Sequence, residues 1–446
     1  MSDPDPDPED PDPLEVDPPG LDPELELPWV EGEVVEEPPL AVGNLPLPHA
    51  ARMIIATMTA SAAGTRRIAE EEECTGVTLA IAGYGCGACQ PGMIVTETSR
   101  SRSPRSSSRT GRPEVDAKLH ELLDALRPAA NRDQIAELLT TVVRLADDHT
   151  DRLDYKIANA ALREMREGFE VFAPYRQVRK LTMFGSARTL PSDPLYSSAR
   201  DLAELMAGHG WSTVTGAGPG IMAAGLEGAG PEHSFGINIR LPFEQGANEF
   251  IADSPTLVSM KYFFTRKLLL IKESDAYVVL PGGFGTLDEA FELLTLLQTG
   301  KAMPAPVILL DTAGDGYWTK WRAFVAEVQK LGLIGPNDAS LFLITNSVED
   351  ASAEILRFYS NYHSLRTVGD RLVLRVRRLP SAERLEKLSK EFSDICVGDE
   401  GIEALEGPLP VERRPEDHPE LPRLALDFDR VSYARLRQLI DEINTF

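Results

Sequence analysis

From Arg179 to Tyr359, short apolar runs alternate with segments whose apolar residues recur at every third or fourth position. KLTMFGS, WSTVTG, SFGINIRL, AYVVL, PVILLD and SLFLIT have the β-branched character of strands buried on both faces of a parallel sheet. YSSARDLAELMAGHG, PGIMAAGLEGA, FFTRKLLLIKES, AFELLTLLQ, YWTKWRAFVAEVQKLG and VEDASAEILRFYSNY read as amphipathic helices between them. This alternation predicts a doubly wound parallel α/β sheet, Rossmann-like, over residues 179–364, with ligands at the carboxyl ends of its strands.

Upstream, VDAKLHELLDALR, RDQIAELLTTVVRLADD and DRLDYKIANAALREMREGF predict a helical lead-in of three helices over 114–178. Downstream, 365–446 reads as a small α+β appendage: strands in LVLRVRRL and RLALDF, helices in SAERLEKLSKEF and YARLRQLIDEI.

The first 48 residues contain no Lys or Arg and repeat Asp-Pro, which predicts a disordered acidic tail. Residues 49–98 show no sustained period and stay unassigned. The serine-arginine run from Ser99 to Pro113 reads as a solvated linker in preference to a nucleic-acid arm.

Charge narrows the choice of partner. A formal net charge of -25 over 446 residues argues against unaided binding to nucleic acid or to an anionic membrane, because both require neutralised phosphates. A phosphate ligand then needs a locally basic pocket. No apolar run approaches the roughly 20 residues of a membrane span, and the acidic N-terminus lacks the look of a secretory signal, so the expected location is cytoplasmic. Of the four cysteines, Cys86 and Cys89 form a lone CxxC without a second pair or a nearby histidine, and no metal is required.

Two glycine clusters carry the candidate chemistry. In LPGGFGTLDEAFELL an apolar strand meets an amphipathic helix through Gly282, Gly283, Gly285 and Thr286, a junction whose free N–H groups and helix dipole suit a phosphate. Phe284, Leu287, Phe291, Leu294 and Leu297 stand at helical spacing and are the expected apolar stripe of that helix. VTGAGPGIM places Gly216, Gly218 and Gly220 after a second strand, with Ile221 where a dinucleotide fingerprint has its third glycine. A mononucleotide therefore fits better than NAD, and a tight strand-to-helix turn would also need these glycines. Thr286 to Glu289 matches a capping box, so Glu289 has a structural reading beside a catalytic one. Arg266 has one too, as the surface ion-pair partner of an amphipathic helix.

Taken in order, FGSAR, GAGPGIM, Arg266-Lys267 and PGGFGTLDE resemble the LOG family, the cytokinin riboside 5'-monophosphate phosphoribohydrolases often mislabelled as lysine decarboxylases. The resemblance covers Arg179 to Tyr359 and is closest to a longer bacterial branch. It implies hydrolysis of the N-glycosidic bond of a nucleoside 5'-monophosphate, AMP or a cytokinin nucleotide, without a cofactor. It also implies catalytic roles for Arg266 and Glu289, phosphate or nucleotide contacts from the glycine loops, Ser186 and Lys267, and a homodimer or higher oligomer. Arg240, Glu244, Gln245 and Asn248 cluster in a longer loop after SFGINIRL, as candidates for ribose or base contact or for loop closure. Asp288 and Glu292 are expected to be solvated. A pyridoxal-phosphate lysine decarboxylase would need a Schiff-base lysine with a pyridinium partner, and no motif identifies one. Two other readings stay open: a non-catalytic nucleotide or cofactor carrier, and an assembly protein regulated by nucleotide.

Overall fold

The computed structural model describes residues 110–126, 131–241, 246–312, 316–398, 400–412 and 418–446. The acidic tail, the unassigned segment with its CxxC, most of the serine-arginine linker, and Glu244 and Gln245 of the loop after SFGINIRL lie outside the described residues.

Seven parallel strands form the central sheet: β1 (Lys180–Phe184), β2 (Ser212–Thr215), β3 (Ser234–Ile239), β4 (Leu257–Met260), β5 (Ala276–Val279), β6 (Val307–Leu310) and β7 (Leu343–Thr345). Their spatial order is β4-β3-β2-β1-β5-β6-β7. The strand order reverses between β1 and β5, which places a crevice at the carboxyl ends of those two strands. The helices between them are α4 (Pro194–Gly208), α5 (Ile221–Ala229), α6 (Phe263–Lys272), α7 (Phe284–Gln298), α8 (Tyr317–Lys330) and α9 (Val348–Phe358).

Alternation along the strands feeds two cores. In β5, Tyr277 and Val279 pack with Leu269, Leu293 and Trp318 on one face, while Ala276 and Val278 pack with Leu181, Leu202 and Ile355 on the other. Both faces are therefore covered, as the uninterrupted apolar runs require.

The lead-in comprises α1 (Pro113–Ala125), α2 (Arg132–Asp147) and α3 (Arg152–Phe172). The appendage holds more strands than its sequence suggests. Its antiparallel sheet runs β10-β11-β9-β8, from β8 (Tyr362–Val368), β9 (Arg371–Val376), β10 (Glu403–Leu405) and β11 (Arg423–Leu426), and packs with α10 (Ala382–Glu391) and α11 (Tyr433–Ile443). Its first strand starts at Tyr362, slightly before the expected boundary.

Candidate active site

Three loops close the crevice at the switch point. The backbone N–H of Ser186, just after β1, donates to Pro281 O (3.2 Å), and the Ile221 N–H at the start of α5 donates to Ser186 O (3.1 Å). Gly220 makes the second contact possible. Its φ is +68°, and a Cβ there would stand 2.3 Å from Ser186 O. The result is a cavity of about 700 Å³ lined by Ser186, Arg188, Gly216, Arg266, Lys267 and the stretch Gly282–Glu289. Gly218 and Gly220 shape the loop beside it and are not among the residues that line it. Gly218 O accepts from Asn248 Nδ2 at 2.8 Å, which also gives Asn248 a loop-closing role.

The phosphate cradle has the geometry of an open helix N-terminus. Gly283 is the N-cap of α7 and carries no side chain to satisfy the N–H groups of Phe284, Gly285 and Thr286; the first main-chain bond of the helix is Leu287 N–H to Gly283 O, 3.1 Å. Thr286 is tucked so closely under Gly282 that a Cβ on that glycine would lie 2.2 Å from Thr286 Oγ1. The Tyr317 hydroxyl of α8 donates to Gly282 O at 2.8 Å and holds the loop from behind.

This cap position overturns the capping-box reading. Thr286 is the third residue of the helix and not its cap, and Glu289 projects to Arg266 instead of back to the helix start. The apolar stripe is corrected too: α7 buries Thr286, Ala290, Leu293 and Leu297, whereas Phe284 is 94% exposed at the cavity wall.

Arg266 lies on the first turns of α6 and is buried, not a surface ion-pair residue. Its Nε donates to Ile237 O (2.9 Å), Nη2 reaches Gly216 O (3.4 Å), and Nη1 meets Glu289 Oε1 at 3.2 Å. Burial lifts the Glu289 carboxyl from the usual carboxylate range to about 7, with the Arg266 charge pulling the other way. A carboxyl so poised suits a general base near neutrality.

Lys267 lines the cavity, but its ammonium pairs with Glu292 Oε2 at 2.5 Å and with Asp288 Oδ2 at 3.2 Å. Asp288, exposed as expected, and Glu292, half-buried, are thus its partners. Hydrogen bonding to Glu292, opposed by burial and joined by Asp288, holds Lys267 above its ordinary pKa. Sequence reasoning did not single out Arg188, Met222, Phe263 or Tyr317. Arg188, inside the FGSAR motif, is exposed at the cavity, and no described residue pairs with its guanidinium.

Residues 219–355 match the family model described as possible lysine decarboxylase. The chain is 28% identical over 161 residues to the cytokinin riboside 5'-monophosphate phosphoribohydrolase of Mycobacterium tuberculosis (strain ATCC 25618 / H37Rv), covering 35% of this chain and 83% of that protein. It is 29% identical over 170 residues to a probable cytokinin riboside 5'-monophosphate phosphoribohydrolase of Oryza sativa subsp. japonica, covering 37% of this chain and 77% of the relative. Among solved structures, the molybdenum cofactor binding protein of Rippkaea orientalis aligns with a TM-score of 0.28 and 21% identity, over 39% of this chain and 91% of that one.

The lysine at the site does not fit Schiff-base chemistry, which needs an ammonium that is easily deprotonated; Lys267 is doubly ion-paired and held protonated. FGSAR, GAGPGIM, Arg266-Lys267 and PGGFGTLDE meet at one sheet edge, inside and just ahead of the matched segment, and this α/β domain is similar to the phosphoribohydrolases of the LOG family.

Proposed function

We propose that the chain hydrolyses the N-glycosidic bond of a nucleoside 5'-monophosphate, AMP or a cytokinin riboside monophosphate, to free base and ribose 5-phosphate. The observation that carries this reading is the buried Arg266–Glu289 pair in the same cavity as the open N-terminus of α7. The 5'-phosphate accepts from the N–H groups of Phe284, Gly285 and Thr286, with the Arg188 guanidinium as a second cation. Anchoring the phosphate fixes the ribose beside Glu289.

Water adds to C1' as the C1'–N bond breaks, its hydroxyl staying on the sugar and its other proton ending on the base. The Glu289 carboxylate stabilises the positive charge developing on the sugar and accepts the proton of the attacking water, as carboxylates do in glycoside hydrolysis. Arg266 stabilises the electron pair leaving with the base. Its guanidinium stays protonated throughout. The names of the relatives support this reaction class.

A carrier would need the phosphate cradle and leave the buried pair without a task. Phe263 and Phe284 expose apolar surface at the cavity, which supports a homodimer with this face covered. Chromatography of products after incubation with a panel of nucleoside monophosphates tests the proposal: release of free base supports it, and nucleotide binding without turnover favours the carrier.

A further inference from the structure

We propose that Glu164, on the lead-in helix α3, is a positioning residue that sets Arg266 against Glu289. The helix that carries Arg266 does not cap itself: α6 is ten residues long, and its N-cap residue Tyr262 contributes no side-chain bond. Glu164 does this work from 97 residues upstream. Its Oε1 accepts from the Lys261 N–H at 2.8 Å, and its Oε2 accepts from Thr265 Oγ1 at 2.6 Å and lies 3.5 Å from the Tyr262 N–H.

The carboxylate is 3% exposed and sits where the positive end of the helix dipole favours it. One turn further along α3, Gly168 sets the spacing of the two helices, since a Cβ there would lie 2.2 Å from Leu269 Cδ1. Thr265, held by Glu164, directly precedes Arg266. The carboxylate therefore fixes both the rotation and the height of the turn from which Arg266 reaches Ile237 O and Glu289. The lead-in is part of the catalytic scaffold by this contact.

The turnover arm of the test rests on the function proposed above; the titration arm does not. Full-length Glu164→Ala, Glu164→Gln and Thr265→Val are compared with wild type. In Glu164→Ala, kcat on AMP is expected to fall by about 10²-fold, the size of effect that a misplaced catalytic group produces. KM stays close to wild type because the phosphate cradle on α7 is untouched. Glu164→Gln, which keeps an acceptor oxygen, recovers part of the loss.

The second readout is the Glu289 titration followed by carbon-13 NMR, its signal identified by its absence in Glu289→Gln. Arg266 and Lys267 of α6 and Asp288 and Glu292 of α7 surround this carboxyl. Arg188 contributes a further cation to the cavity. Displacing Arg266 moves the titration above its wild-type midpoint. If wild type hydrolyses no nucleotide, the catalytic reading fails, and the titration still decides whether Glu164 positions Arg266. Should Glu164→Ala not fold, the other two variants carry the test in the same direction. Wild-type kcat with an unshifted Glu289 titration in folded variants would overturn the proposal and reduce Glu164 to a stabilising cap.

Discussion

Nη2 of Arg266 stands 1.8 Å from where a Cβ on Gly216 would be, so the arginine occupies the space that this glycine leaves open. Gly216 is not among the residues with positive φ, and the requirement is one of room rather than backbone conformation. Gly216→Ala should push the guanidinium off Glu289 and lower turnover of AMP by about 10²-fold. Overpacking of this kind costs about 1–3 kcal/mol of stability, read by thermal unfolding. Wild-type turnover in this variant would mean that the Arg266 position is not needed.

The Glu289 carboxyl sets the pH dependence. Its pKa in the folded chain is raised from 4.5 to about 7, so the active carboxylate accumulates as pH rises through neutrality. The profile of kcat/KM should show an acidic limb near 7. Lys267→Gln removes a cation that favours the carboxylate and should move the limb upward. The stability effect has the opposite sign: a buried carboxyl with a raised pKa contributes a penalty that grows as pH rises between 4.5 and about 7 and is absent below it. A rate independent of pH from 5 to 8 would contradict this assignment, that window bracketing the titration at about 7.

Phosphate recognition separates the cradle from the chemistry. Adenosine, lacking the 5'-phosphate, should be a far poorer substrate than AMP, because the phosphate positions the ribose. Arg188→Ala should raise KM for AMP by about 10- to 100-fold, the loss of one charge-assisted hydrogen bond, with a smaller change in kcat. Comparable turnover of adenosine and AMP would remove the α7 N-terminus from the account.

Much of this was legible in the chain because it is written locally. The strand–glycine–helix junctions at Gly216 and Gly282 and the apolar alternation of β1, β2, β3, β5, β6 and β7 are short-range signals. The strands β4, β8 and β10 were not anticipated. β4 spans four residues with only Val258 and Met260 buried, and β10 spans three, too short for a period to emerge. Thr286-Leu-Asp-Glu289 also fits a capping box in sequence, which left a structural reading of Glu289 open beside the catalytic one. The choice between cap and ion pair lies in Arg266, a residue 23 positions away. Glu164 was invisible for the same reason, since its partners are mostly main-chain N–H groups about 100 residues downstream.

The full chain should behave as a homodimer or larger in light scattering at micromolar concentration. Phe263 at the cavity is 53% exposed, and Phe264 and Leu268 of the same helix, which line a second cavity, are 54% and 44% exposed. Phe264→Asp should shift the population toward monomer. A wild-type monomer at that concentration would contradict the proposed assembly.

The most direct test of the central claim is steady-state hydrolysis of AMP by Glu289→Gln, measured beside its thermal unfolding. The variant keeps an acceptor oxygen facing Arg266 and removes the negative charge. The account predicts a fall in turnover of about 10² to 10⁴-fold with a nearly unchanged melting temperature. Wild-type turnover in Glu289→Gln would contradict it.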